Sequence, residues 1–174
     1  MSTSKYCFFL LSALLLLAGC GPKETDSTNA KELQDIDRLR ARLSQFNGTY
    51  RGTVVPNSGD RRPIPVEVRL SVVDVADGTT NDSREVTFHP ELRGFFIRTD
   101  YLSITPAARR PVRVRYYEEP GTVAMENIDK IVSPTPNQGV VQMSGTMRNG
   151  VIEGPIVFTI GDTIDGQLRV VRGN

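Results

Sequence analysis

The sequence predicts a mainly β fold: an antiparallel up-and-down β-barrel of about eight strands with one N-terminal amphipathic helix. Three observations predict it. At Gly48 the apolar period changes from roughly 3.6 residues to about 2, and it stays there to the end of the chain. Turn signals separate about eight or nine short runs at spacings too close for βαβ crossovers, so the sheet is antiparallel. A sheet of that many strands in so short a chain curls, and closure removes the edges that would otherwise pair with another molecule.

Ahead of the fold, Lys5 precedes Phe8 to Leu17, a run that is apolar except for Ser12 and ends on Ala18-Gly19-Cys20-Gly21-Pro22. A basic start, an apolar stretch and small residues at its end form an export signal. The run is too short for a membrane span, which needs about 20 apolar residues, and it lacks the polar face of a cytosolic core helix. Leu17-Ala18-Gly19-Cys20 resembles the bacterial lipobox, in which the cysteine thiol is acylated before cleavage leaves it as the first residue. The resemblance implies a cleaved lipoprotein signal peptide over 1–19 and palmitate-type chains on Cys20 that hold the protein on a membrane. Each buried CH₂ adds about 0.8 kcal/mol and stable anchoring takes more than one chain; bacterial lipoproteins carry two or three. Gly21 stands where Asp would favour inner-membrane retention in enterobacteria, which implies the outer membrane, facing the periplasm.

Residues 20–29 comprise the lipidated cysteine and a flexible tether, since Gly21 to Thr28 is small, polar and charged without apolar periodicity. The helix is expected over 30–47. Asn29 offers an N-cap with Glu32 three residues on, and Ile36, Leu39, Leu43 and Phe46 recur at helical spacing until Asn47-Gly48 stops the run. Four apolar positions are too few for a coiled coil, so the stripe is expected to lie over a barrel end or sheet face.

The barrel is expected over 48–174. Thr49 to Val54 alternates, Pro56-Asn57-Ser58-Gly59-Asp60 breaks the run, and Ile64, Val66, Val68, Leu70 and Val72 share one face of the clearest strand. Ala76 to Ser83 is a loop by composition, and Arg84 to Phe88 resumes with Val86 and Phe88 inward until His89-Pro90 ends or kinks the strand. Leu92 to Ile104 is apolar on both faces, which a bulge near Gly94 or a mid-segment switch would reconcile. Val112, Val114 and Tyr116 alternate with Arg113, Arg115 and Tyr117 before the turn at Glu118-Glu119-Pro120-Gly121. Val123 begins a further strand that leads to a connection closed by Ser133 to Asn137. Asn149-Gly150 predicts a type I′ hairpin that sets Met147 opposite Ile152, Gly145 opposite Gly154 and Met143 opposite Ile156. Gly161 to Gly166 reads as another turn, and Leu168 to Val171 as the last strand.

The start of the barrel, Phe46-Asn47-Gly48-Thr49-Tyr50, is similar to the opening of the calycin barrels, the lipocalins and fatty-acid-binding proteins, which usually place Trp where Tyr50 stands. The resemblance ranks a barrel above a sandwich and implies an interior that could carry a small hydrophobic ligand. A transmembrane barrel is disfavoured, because the alternating strands are too charged for lipid and are broken by proline.

Composition narrows the chemistry. Without residues 1–19 the chain has 174 − 19 = 155 residues, one domain plus a tether. Losing Lys5 leaves 21 − 1 = 20 basic against 20 acidic side chains, so no overall field recruits nucleic acid. Cys7 leaves with the signal and Cys20 is acylated, so neither a disulfide nor a thiolate metal site is expected. His89 is the only histidine, and its place beside Pro90 suits a loop residue better than a catalytic base. Zinc lacks ligands. Calcium is the better metal candidate, through Asp74, Asp77, Asn81 and Asp82 or through Asp162 and Asp165, but neither set has the loop spacing, and turns favour the same residues. Glu118-Glu119 reads as a solvated turn. The one charge cluster is Arg109, Arg110, Arg113 and Arg115, near Arg93 and Arg98: either a patch for anionic lipid head groups or acidic glycan, or a solvated strand face balanced across the ladder, the latter favoured.

The expectation is a non-enzymatic lipoprotein, without cofactor or metal, anchored to a membrane through Cys20, whose barrel is a binding or envelope-assembly domain meeting an envelope protein or a lipid. The alternative is a calycin-like carrier of a hydrophobic ligand, with Leu92 to Ile104 lining the barrel.

Overall fold

The computed structural model describes residues 25–77, 88–101, 108–118, 121–128 and 139–173, with side chains from residue 30 onward. Helix α1, Thr25–Ser44, precedes strands β1 Gly48–Pro56, β2 Ile64–Ala76, β3 Phe88–Arg98, β4 Arg109–Tyr117, β5 Thr122–Asn127, β6 Val141–Arg148, β7 Val151–Ile160 and β8 Asp162–Arg172. These eight close into one antiparallel barrel in sequence order, β8 returning to pair with β1. The fold class is the one the period change at Gly48 predicts. Cys20 and the residues before it lie outside the described residues, as do Asn81, Asp82, Val86, Leu102, Ile104, Glu119 and residues 129–138.

The helix begins at Thr25, so residues 25–29 are helical rather than tether and Asn29 is interior rather than an N-cap. Between Pro22 and Gly48 the sequence holds neither glycine nor proline. Once a nucleus exists, each further residue gains a backbone hydrogen bond, so the helix runs back through polar residues of modest propensity. The boundary between two compact units falls inside α1, after Asp37. In the second unit, Arg38–Asn174, the expected apolar stripe narrows: Leu43 is buried and Phe46 packs on the core, while Leu39 stays exposed. Asn47 and Gly48 do stop the helix. The amides of Phe46 and Asn47 turn back to the carbonyls of Leu43 and Ser44 at 3.0 and 3.1 Å, and the Asn47 side chain accepts from the Val72 amide at 2.9 Å.

Alternation sets the barrel wall. Ile64, Val66, Val68 and Leu70 point inward from β2, Leu92 and Phe96 from β3, Val112 and Val114 from β4, and Met143 and Met147 from β6. The β6–β7 hairpin has the expected register, with Met147 opposite Ile152 and Met143 opposite Ile156. Asn149 and Gly150 take φ of 51° and 74°, both central positions of a type I′ turn.

Three local expectations are corrected. His89-Pro90 does not end a strand: β3 runs through it, with Pro90 opposite Asp74. Pairing of β3 with β4 starts only at Leu92, so at Pro90 no ladder bond is lost for want of an N–H. Phe88 has the parity of Leu92 but is exposed, because β2 and β3 pair on to Ala76 and Phe88, beyond the reach of β4, as a two-stranded ribbon. Gly161 to Gly166 is not a turn; Gly161 alone reverses the chain at φ 78°, and Ile160 pairs with Asp162.

Nor does β3 bulge at Gly94. Its register with β2 is unbroken from Arg98 to Phe88, which puts Leu92, Gly94 and Phe96 inside and leaves Phe95 and Ile97 on the wall. The two apolar faces of this strand are therefore one inner face and one outer face.

Candidate interaction surface

Among the described residues, buried side chains pack together in the barrel interior. Tyr50, Phe96, Phe158, Leu92, Met125, Met147, Ile152, Ile156, Ile160 and Leu168 are all fully buried, and the rings of Phe96 and Phe158 meet at 5.1 Å between centroids. An eight-stranded barrel is just wide enough for such packing. Residues 38–46 cover one end: the ring of Phe46 lies 4.7 Å from that of Tyr116, and the Tyr50 hydroxyl donates to the Phe46 carbonyl at 2.9 Å. Burial raises the Tyr50 phenol above its ordinary pKa. Arg40 bonds Asp74 at 2.9 Å, Arg42 bonds Glu118 at 2.5 Å, and Arg172 donates to the Gln45 carbonyl at 2.9 Å. At the other end the buried Asn127 side chain donates to the Gly139 carbonyl at 2.5 Å and accepts from the Val141 amide, tying that segment across the opening. Arg98 donates to the Ile160 carbonyl at 3.1 Å, and Asp100, hydrogen-bonded to it, raises its already high pKa.

Along the barrel wall the arginines of β4 part company. Arg113 donates to Glu126 at 2.7 Å and lies 3.7 Å from Glu91, while Arg115 meets the same Glu126 at 3.0 Å. Register explains it: Arg113 stands opposite both Arg93 and Glu126, so the carboxylates interleave with the guanidiniums. Arg110, opposite the inward Phe96, turns the other way and packs on Gly139, where a Cβ would come within 2.4 Å of its Nε. Arg109 faces out, its guanidinium carbon 5.1 Å from the centre of the Phe95 ring. The structure thus does not gather Arg109, Arg110, Arg113 and Arg115 into one patch; for Arg113 and Arg115 it gives the balanced ladder.

The same network takes up His89. Its Nε2 lies 2.9 Å from Glu91 and its Nδ1 2.5 Å from Asp77, and Glu91 also accepts from Arg93 at 2.7 Å. The Glu91 hydrogen bond, followed by that of Asp77, raises the imidazole pKa against the opposing effect of burial. Burial pushes the Glu91 carboxyl up, but His89 and Arg93 together hold it below its ordinary value. With both ring nitrogens turned to separate carboxylates, the three groups do not converge on a cation. Among the described residues no cluster of His, Cys, Asp or Glu could hold a metal ion. Asp162 and Asp165, three apart on β8, project from opposite faces of the strand.

A second cluster adds a residue from another strand to a pair, Glu67 and Arg69, that share one face of β2. Glu67, buried on the outer face of β2, accepts from Arg51 at 2.8 Å and from Arg69 at 2.5 Å. Burial raises the Glu67 carboxyl, and the two arginine hydrogen bonds outweigh it and hold the pKa below its ordinary value. Pairing the first hairpin would have placed Arg51 opposite Glu67, but the length of the 57–63 connection leaves that register open. Elsewhere on the wall, a groove of about 400 Å³ lined by Glu126, Gln142, Ser144, Pro155 and Val157 lies where β6 and β7 carry Gly145, Gly154 and Pro155.

Comparison with family models, curated proteins and solved structures returns no match. What the fold defines is a class: a closed eight-stranded antiparallel barrel, consistent with a calycin-like architecture and compatible with a binding domain.

Proposed function

We propose that this chain is a bacterial lipoprotein, acylated on Cys20 and held at the periplasmic face of the outer membrane, whose barrel is a non-enzymatic binding or envelope-assembly module. The observation that carries the reading of the barrel is its packed interior, which leaves the outer wall as the surface available to a partner. A carrier of a hydrophobic ligand would need the volume that Phe96, Phe158, Met125 and Met143 fill. The engagement of both His89 nitrogens by carboxylates supports a non-catalytic part for the one histidine. The anchor rests on Leu17-Ala18-Gly19-Cys20 and the apolar run before it.

The test has two readouts on protein made in a bacterial envelope. Mass analysis of the mature N-terminal peptide should find Cys20 as the first residue carrying acyl chains, and Cys20→Ala should abolish the acyl mass. A mature terminus elsewhere, or an unacylated Cys20, would overturn the anchor. Native mass spectrometry should give the mass of protein plus anchor alone; an extra mass lost on organic extraction would overturn the filled-barrel module in favour of the carrier.

A further inference from the structure

The wall of β1 to β4 carries more guanidinium than carboxylate at one place. Arg51 and Arg69 share a single carboxylate, Glu67, and both are largely exposed, at 68% and 61% of the side chain. Cross-strand register continues the row outward: Val171, Arg51, Glu67, Ile97 and Arg109 stand side by side across β8, β1, β2, β3 and β4. The next row holds Arg69, Phe95 and Pro111. Phe95 is 38% exposed with Arg69 directly opposite and Arg109 over its ring, and Val171 is exposed at the far side. Three arginines therefore surround an apolar strip of Phe95, Ile97 and Pro111, and among the described residues one carboxylate, Glu67, stands with them, paired to Arg51 and Arg69. The neighbouring row of Arg93 and Arg113 is neutralised by Glu91 and Glu126.

From this we infer that the Arg51–Arg69–Phe95–Arg109 face docks the barrel on an anionic phospholipid surface. Charge complementarity and shape select that occupant. At Arg51, Glu67 and Ile97 each strand is paired on both sides, so a peptide cannot add there as a strand, and a barrel wall is convex. A lipid surface needs no groove: guanidiniums meet phosphates at head-group level while an aromatic ring enters the interface. The inference rests on the membrane anchor proposed above, since tethering keeps lipid at high effective concentration and lets contacts worth only about fivefold per arginine matter.

The chain contains no tryptophan, so Phe95→Trp gives a single emitter in the patch. The mature lipidated protein with this substitution is reconstituted into phosphatidylcholine vesicles with or without phosphatidylglycerol, and quenching by brominated acyl chains is read; Val157→Trp on β7 serves as the comparison site. Quenching at position 95 that requires the anionic lipid, with little at 157, is the expected result. Arg109→Gln should shift the docked population about fivefold towards undocked, and high salt should act in the same direction. Equal quenching at both sites, or none at 95 in anionic vesicles, overturns the inference, including the case where position 95 is shielded instead by an acidic protein. Failure of the anchor shows separately, as protein that lacks acyl mass and does not float with either vesicle.

Discussion

Gly94 is the position where the described geometry is most exposed to refutation. A Cβ built there would lie 1.7 Å from the Arg69 carbonyl oxygen and 3.1 Å from the Leu70 Cα, both backbone atoms. No side chain can swing aside. To restore a contact of about 3.2 Å, β2 and β3 must separate by more than 1 Å beside the Leu70–Gly94 pair, in the middle of an eleven-pair ladder. Two flanking ladder hydrogen bonds at about 1 kcal/mol each, plus overpacking of about 1–3 kcal/mol, less about 0.5–1 kcal/mol that alanine recovers in chain entropy, give a loss of roughly 2–4 kcal/mol for Gly94→Ala. At about 4 °C per kcal/mol for a domain of this size, the melting temperature should fall by roughly 8–16 °C. Gly59 is the control, with φ 72° but open space around its Cα. Gly59→Ala should cost about 1 kcal/mol, from backbone conformation alone. Chemical denaturation with unchanged m-value is the assay. If Gly94→Ala costs no more than Gly59→Ala, the close approach is absent and β3 bulges at Gly94 after all.

Three further outcomes follow from the site. Phe158→Ala removes a ring packed on Phe96 at the centre of the filled barrel and should cost about 3–5 kcal/mol in denaturant unfolding; a loss under about 1 kcal/mol would mean the interior is hollow enough to collapse. Asn127→Leu leaves the Gly139 carbonyl and Val141 amide without their partner, at about 1–3 kcal/mol each, and should speed amide exchange at Val141; unchanged protection there would refute the clamp. The imidazole of His89 has a raised pKa in the fold, so its contribution is present below its ordinary value of 6.5 and lost as pH rises through the folded value. An NMR titration should put the midpoint of this sole histidine above 6.5, and His89→Gln should flatten the stability profile in that window; a midpoint at or below 6.5 would break the Asp77–His89–Glu91 arrangement.

The groups with lowered pKa act at the other extreme. Glu67 and Glu91 contribute stability above their ordinary value of 4.5 that disappears as pH falls through their folded values. Acid should therefore loosen the β2–β3 wall, and the docking face with it, because protonated Glu67 no longer holds Arg51 and Arg69 together.

By itself the sequence determined the architecture, because local rules carry it. A period of 2 needs only neighbours, the Asn149-Gly150 turn fixes its own hairpin, and the absence of crossover lengths makes every pairing antiparallel. The proposal of an export signal and an acylated Cys20 rests on a linear motif alone, Leu17-Ala18-Gly19-Cys20 after an apolar run. The composition of the wall was decided by tertiary structure alone. Arg109 to Arg115 are adjacent in the chain, but pleating sends Arg110 inward, and the ladder hands Arg113 and Arg115 to Glu126. Conversely Arg51, Arg69 and Arg109 come from three strands and become neighbours only once connections of unpredictable geometry have set the register. A one-residue slip in any of them would turn the row to the other face of the sheet. The two-faced apolarity of Leu92 to Ile97 has the same cause: which face of β3 lines the core is set by its partners on both sides, and the face left outside, Phe95 and Ile97, is the part of the strand that can meet another surface.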